Sequence, residues 1–337
     1  MIIIIIAIVF WSIAGLFLFN ALYKRTNHYN NQLIDVRKYW DMTKFPKDLQ
    51  VVNLGSNHPK FGFDYSESGV KGLNCAVGPQ TFEYDFAILR KIIPYLAPGA
   101  FVIIPVCLLT FFLYRQKPRS IHAKYYTFLP KKDIVDYNKK EEFKLIKFPL
   151  FFNPRLLRFV FRDIKKDTRL ELTENPMKDA VTLEKDVDFW INCWNSEFDI
   201  TLPTPILSQE NEYEIQQNIK ILKEMLIYCT LRRLKPVIAI LPVTEHLSSR
   251  FTEYFIQTHI FHYINEANVV EAPMLNYLKD ERFTSPELYI NSFFMNKRGR
   301  KKITTSNPQP IGFRGNLLVK RQKFFYCTYS LGITETS

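Results

Sequence analysis

The pattern of apolar and polar positions opens with an unbroken apolar run. Ile2–Tyr23 carries no charged residue, and at a rise of ~1.5 Å per residue such a helix crosses a hydrocarbon core of ~30 Å. A cleaved signal peptide is the alternative, but it needs a basic start, a shorter apolar stretch and a small-residue cleavage site. Residues 1–23 are therefore expected to be an uncleaved transmembrane helix, and 24–48 a polar, aromatic-rich juxtamembrane linker. Five short apolar runs follow, at 51–55, 72–77, 101–106, 237–243 and 268–272, each with the look of a buried strand. Helical spacing appears between them at 84–93, at 213–234, where Ile215, Ile219, Leu222, Leu226 and Cys229 recur, and at 251–264. Alternating strands and helices imply a parallel sheet with right-handed crossovers and helices on both faces. The expected fold is an α/β three-layer sandwich with a five-stranded parallel sheet, spanning 49–304, with its ligand site at the carboxyl ends of the strands.

Two stretches complicate this pattern. Residues 92–114 are also long enough to be a second membrane helix, yet Pro94, Pro98, Gly99 and Pro105 interrupt them, and Pro98-Gly99 reads as a turn feeding a buried strand. Residues 115–205 are too long for a plain connection. This insertion is either a lid or recognition subdomain or a decoration on the sheet edge. Its Trp190 and Trp194 suit stacking on sugar rings or simple core packing. The tail, 305–337, loses periodicity and is expected to be irregular or disordered.

Composition narrows the partners. The chain has 337 residues, 47% of them hydrophobic, enough for one main α/β core. Its net charge of +12 suits an anionic lipid surface, an acidic glycan or nucleic acid. The basic residues are spread out and no nucleic-acid-binding signature accompanies them, so no nucleic acid is expected. Five scattered cysteines form no close pair, which predicts neither a metal site nor a disulfide framework. No cofactor is expected. Lys24-Arg25 directly after the apolar run argues, by the positive-inside rule, for a cytoplasmic C-terminal domain.

The chemistry gathers at the predicted strand tips. The first strand ends in Gly55-Ser56-Asn57-His58. A glycine before a serine permits a sharp turn that exposes the hydroxyl and leaves N–H groups for an oxyanion. Alternatively, Ser56 caps a short helix and Asn57 and His58 are loop residues. The second strand runs into Gly78-Pro79-Gln80-Thr81. In a parallel sheet the two tips are neighbours, so Gly78 is either a backbone donor to the same oxyanion or part of an ordinary turn.

From about 51 to 304 the chain resembles the SGNH, or GDSL-like, hydrolases, especially the membrane-anchored relatives associated with cell-surface polysaccharide machinery. The resemblance rests on Asn53-Leu-Gly-Ser56, Gly72-Leu-Asn74, Phe82-Glu-Tyr-Asp85 and Tyr289-Ile-Asn-Ser-Phe-Phe-Met-Asn-Lys-Arg-Gly299. It implies Ser56 as nucleophile and Gly78 as an oxyanion donor; Asn57, His58 and Glu245 are further candidates for contact with the oxyanion or substrate. Two blocks depart from the family pattern. The oxyanion asparagine after the third strand is missing from Cys107-Leu-Leu-Thr110, where Thr110 is a poor substitute, and Phe294 stands where the family places its histidine. Losing acid–base assistance costs ~10²–10⁴-fold in rate. His246, beside Glu245 after the fourth strand, is the candidate replacement base, and His58 is nearer in sequence; each is otherwise an ordinary loop histidine. The resemblance implies an extracytoplasmic esterase or O-acyltransferase acting on an acylated or anionic surface glycan, or a catalytically degenerate glycan-binding or assembly partner in the cell envelope. Its extracytoplasmic placement opposes the charge at Lys24-Arg25.

Overall fold

The computed structural model describes residues 2–114, 122–163 and 179–305. Helix α1 (Ile2–Tyr23) leads the chain and its exposed length is apolar apart from Ser12, whose hydroxyl bonds Ile8 O within the helix, so it is long and apolar enough to span a membrane. The segment that follows is no free linker. Its short helices Asn27–Gln32 and Ile34–Tyr39 bury Tyr29, Val36 and Tyr39 against the domain, and the Tyr39 hydroxyl donates to Cys75 O at 2.7 Å.

A five-stranded, wholly parallel sheet forms the centre, in the order β2-β1-β3-β4-β5. Its strands are β1 (Leu49–Asn53), β2 (Gly72–Asn74), β3 (Leu96–Val106), β4 (Lys235–Ile240) and β5 (Met274–Asn276). Such an order places a topological switch beside β1, where the chain leaves for β2 on one side and returns to β3 on the other. Alternate strand residues feed two apolar clusters, one on each face. Val52, Val102, Ile104 and Ile238 join one, and Val51, Phe101, Ile103 and Val237 the other. The strands read as continuous apolar runs because both faces are covered.

The proline-rich stretch 92–114 contains the long central strand. Residues Ala100–Val106 are buried in β3, and its pairing with β1 slips between Leu49 and Val51, where Pro98-Gly99 bulges outward with Gly99 at φ +72°. The fifth strand lies later than expected. Residues 268–272 form a turn, with Asn268 Oδ1 accepting from Ala272 N (2.8 Å), Asn268 Nδ2 donating to Ala272 O (2.9 Å) and Glu271 at φ 54°. That side chain takes the backbone groups a ladder would need, so pairing begins at Pro273.

Helix α2 (Phe82–Ile92) connects β2 to β3. The described part of the insertion includes, besides a one-turn helix at Lys139–Glu142, several 3-10 turns and a π turn, the short helices α3 (Pro149–Phe152) and α4 (Leu157–Asp163) and the long α5 (Ala180–Phe198). Helix α6 (Gln209–Leu231) then returns the chain to β4. After β4 come α7 (Glu245–Ser248) and a helical stretch from Glu253 to Ala267 with a π-turn at Gln257–Phe261. Helix α8 (Lys297–Thr305) closes the second face. The tail expected to be irregular lies outside the described residues beyond Thr305, which itself ends α8.

Candidate functional site

The tip of β1 is built as a sharp turn. Gly55 takes φ +110°, and a Cβ there would stand 2.5 Å from Pro59 Cγ, so no other residue fits without displacing the following turn. Asp85, from the first turn of α2, accepts the Gly55 N–H at 2.6 Å. Gln80 Nε2 donates to Gly55 O (3.2 Å) and, through a short contact, to the same Asp85 oxygen. Burial pushes the Asp85 carboxyl up to about 7, against the lowering pull of the Gly55 and Gln80 donors.

Ser56 follows and opens the one-turn helix Asn57–Lys60 without capping it through its side chain. Its Oγ accepts the Gln80 N–H at 3.0 Å. A backbone donor thus lies beside the hydroxyl, but it comes from Gln80 rather than Gly78. The Gly78 N–H points to Asp35 Oδ2 at 3.4 Å, while Asn57 Oδ1 packs so closely on the Gly78 Cα that an added Cβ would lie 1.6 Å from it. Asp35 also holds Lys60 at 2.8 Å. Lys124 Nζ donates to Gly78 O and Pro79 O, both at 2.6 Å, and burial pushes this ammonium down to about 7. The second tip is therefore clamped, and Gly78 serves it by close approach.

The histidines divide. His58 is buried and donates Nε2–H to Pro242 O at 3.1 Å, since a carbonyl can only accept. Its Nδ1 therefore carries a lone pair, and that atom is buried with no partner. Desolvation holds the ring neutral, with its pKa down to about 4. His246 lies elsewhere: its Nδ1 meets Glu184 Oε1 of α5 at 2.7 Å, while Arg250 bonds the other Glu184 oxygen at 2.7 Å and Asp188 at 3.1 Å. His246 makes no hydrogen bond to Ser56 and is not among the residues that line its cavity. It ties α7 to α5, and Glu245 is exposed at the start of α7. No imidazole among the described residues hydrogen-bonds Ser56.

Ser56, Asn57 and His58 line a cavity of about 150 Å³ at the carboxyl end of the sheet. Thr110, on its β3 side, accepts the Cys107 N–H at 2.7 Å, so its hydroxyl completes a turn. Leu108, Leu109, Leu113 and the carboxylate-bearing Glu197 share the wall with a group of aromatic rings. Phe293 lies 4.4 Å from the His58 ring, and Trp190 lies 5.3 Å from Phe293 and 5.4 Å from Phe294, centroid to centroid. Trp190 Nε1 is buried without a partner. Helix α5 roofs the cavity, held down by Asp186, which accepts from Ser292 N at 2.9 Å, as well as by Glu184. A smaller cavity of about 40 Å³ under Val51, Phe63 and Tyr65 on the other cluster contains no comparable group of nucleophile and imidazole. Among the described residues no three His, Cys, Asp or Glu side chains gather as metal ligands.

Gln80 and Asp85 were the site residues least visible in the sequence. Both sit in the stretch after Gly78 that the family resemblance already spans, but a buried glutamine and aspartate bracing a distant glycine leave no spacing signal. Among known proteins, no family model matches the chain and no curated sequence is similar to it.

Proposed function

We propose that this chain is a membrane-anchored, SGNH-like three-layer α/β protein of the cell envelope whose strand-end cavity binds an acyl-bearing surface glycan without turning it over. One observation carries this reading: Ser56 opens onto a wall of Phe293, Phe294 and Trp190, with Phe294 where the resemblance places the histidine and no imidazole bonded to the serine. A serine hydroxyl without a base is a weak nucleophile. A mostly apolar cavity with a few polar side chains on its wall suits binding. The rings of Trp190 and His58 both line the cavity and offer faces and edges for a sugar or acyl group to pack on. Placement outside the cytoplasm follows the family resemblance.

A second reading keeps Ser56 as the nucleophile of an esterase or O-acyltransferase. It is favoured by His58, whose buried Nδ1 is unpartnered and whose ring lines the same cavity as Ser56, and by the Gln80 N–H beside Ser56 Oγ. Hydrolysis of p-nitrophenyl acetate by wild type, Ser56→Ala and His58→Gln separates the two. Binding alone predicts three rates at the buffer background. A wild-type rate that Ser56→Ala abolishes establishes the second reading.

A further inference from the structure

The insertion packs on α1 near the end of its apolar run. Residues 2–19 of α1 are apolar apart from Ser12, and at ~1.5 Å per residue they extend ~27 Å, close to the ~30 Å of a hydrocarbon core. A bilayer that buries this stretch therefore reaches Phe17 and Phe19. Those two residues are where the insertion packs: Phe17 meets Phe148 and Phe151 at 5.5 and 5.3 Å, and Phe19 meets Phe161 at 6.2 Å. One turn later, Asn20 is buried, donating to Lys147 O at 3.0 Å and accepting from Leu150 N at 3.3 Å. Helices α3 and α4 are thus fixed to α1 at the level of the bilayer boundary.

Their surface fits that level. Phe152 and Phe161 are 54% and 56% exposed, and Phe151 is exposed beside them. Three large apolar rings left in water on two short helices are costly, whereas the acyl–headgroup boundary is where aromatic rings are favoured. Exposed Lys144, Arg155 and Arg158 share the segment, an arrangement of apolar rings and cations that suits an interfacial element on anionic lipid.

We infer that the segment from Phe143 to Arg162 lies in the bilayer interface beside α1, with Phe151, Phe152 and Phe161 among the acyl chains and Lys144, Arg155 and Arg158 at anionic headgroups. The anchor is then a helix plus a platform, which fixes the height and tilt of the domain where a lone helix would leave it free to swivel.

The test uses the full chain, with Trp11→Phe to remove the indole of α1, reconstituted into vesicles of phosphatidylcholine with or without phosphatidylglycerol. Phe152→Trp and, separately, Phe161→Trp each add a reporter at an exposed position. Lipids brominated along the acyl chain are expected to remove most of the added emission, with a blue-shifted maximum and deeper quenching when phosphatidylglycerol is present. The combined variant Lys144→Glu, Arg155→Glu, Arg158→Glu is expected to lose that lipid dependence. Added emission that stays unquenched and water-like at both positions overturns the inference and leaves the face to a protein partner. Quenching indifferent to phosphatidylglycerol overturns the headgroup contacts.

Discussion

At Gly55 and Gly78 the site depends on the absence of a side chain. Gly55→Ala demands both a positive φ and a shift of Pro59. It should lower unfolding stability by about 1–3 kcal/mol, the usual cost of overpacking, read by chemical denaturation in detergent. Two buried groups near the tip give opposite pH signatures. Asp85 holds its proton to about 7 in the folded chain against an ordinary value of 3.8. Its contribution to stability is present below that ordinary value and is lost as pH rises through 7. His58 stays neutral down to about 4 against an ordinary 6.5. The unfolded chain takes up that proton first, so its contribution is present above 6.5 and is lost as pH falls towards 4. Each tilts stability by up to about 1.4 kcal/mol per pH unit within its window, and between pH 4 and 7 the two oppose. Relative to wild type, Asp85→Asn should therefore make stability climb more steeply with pH, and His58→Gln should make it fall. Urea unfolding across that range checks both, and tilts of the same sign would refute the assignment.

Among the elements, α5 decides access to the cavity. It is fastened by a partly exposed network of Glu184, His246, Arg250 and Asp188, together with Asp186 at Ser292. Surface ion pairs contribute little to global stability, so Glu184→Ala should leave the midpoint of unfolding nearly unchanged while amide exchange over 180–198 quickens. Slower or unchanged exchange would mean the helix is held by its buried face alone. The sheet was legible in the sequence because a strand buried on both faces needs an unbroken apolar run, and four of the five runs fall on β1 to β4. The fifth was misplaced because Val269 and Val270 look strand-like, while the Asn268 side chain that closes the turn acts across four residues and leaves no periodicity. The tip of β1 was legible from Gly55-Ser56. The role of His246 was not, since its partner Glu184 lies 62 residues away on an insertion without a recognisable pattern.

Seen whole, the protein joins an apolar helix long enough to span a membrane to an α/β domain through packed aromatic residues, with Asp35 and Tyr39 of the following segment reaching the second strand tip. The segment after α1 thereby contributes directly to the walls that support the cavity. Binding to that cavity is the central claim, and its most direct measurement is isothermal titration calorimetry of the detergent-solubilised full chain with an O-acetylated oligosaccharide and its de-acetylated parent. Wild type and Ser56→Ala should bind the acetylated sugar alike and the parent more weakly, and Trp190→Ala should weaken the acetylated sugar about tenfold, the loss of a large ring from the cavity wall. Equal affinity for both sugars in wild type and Trp190→Ala, or no heat at all, would contradict it.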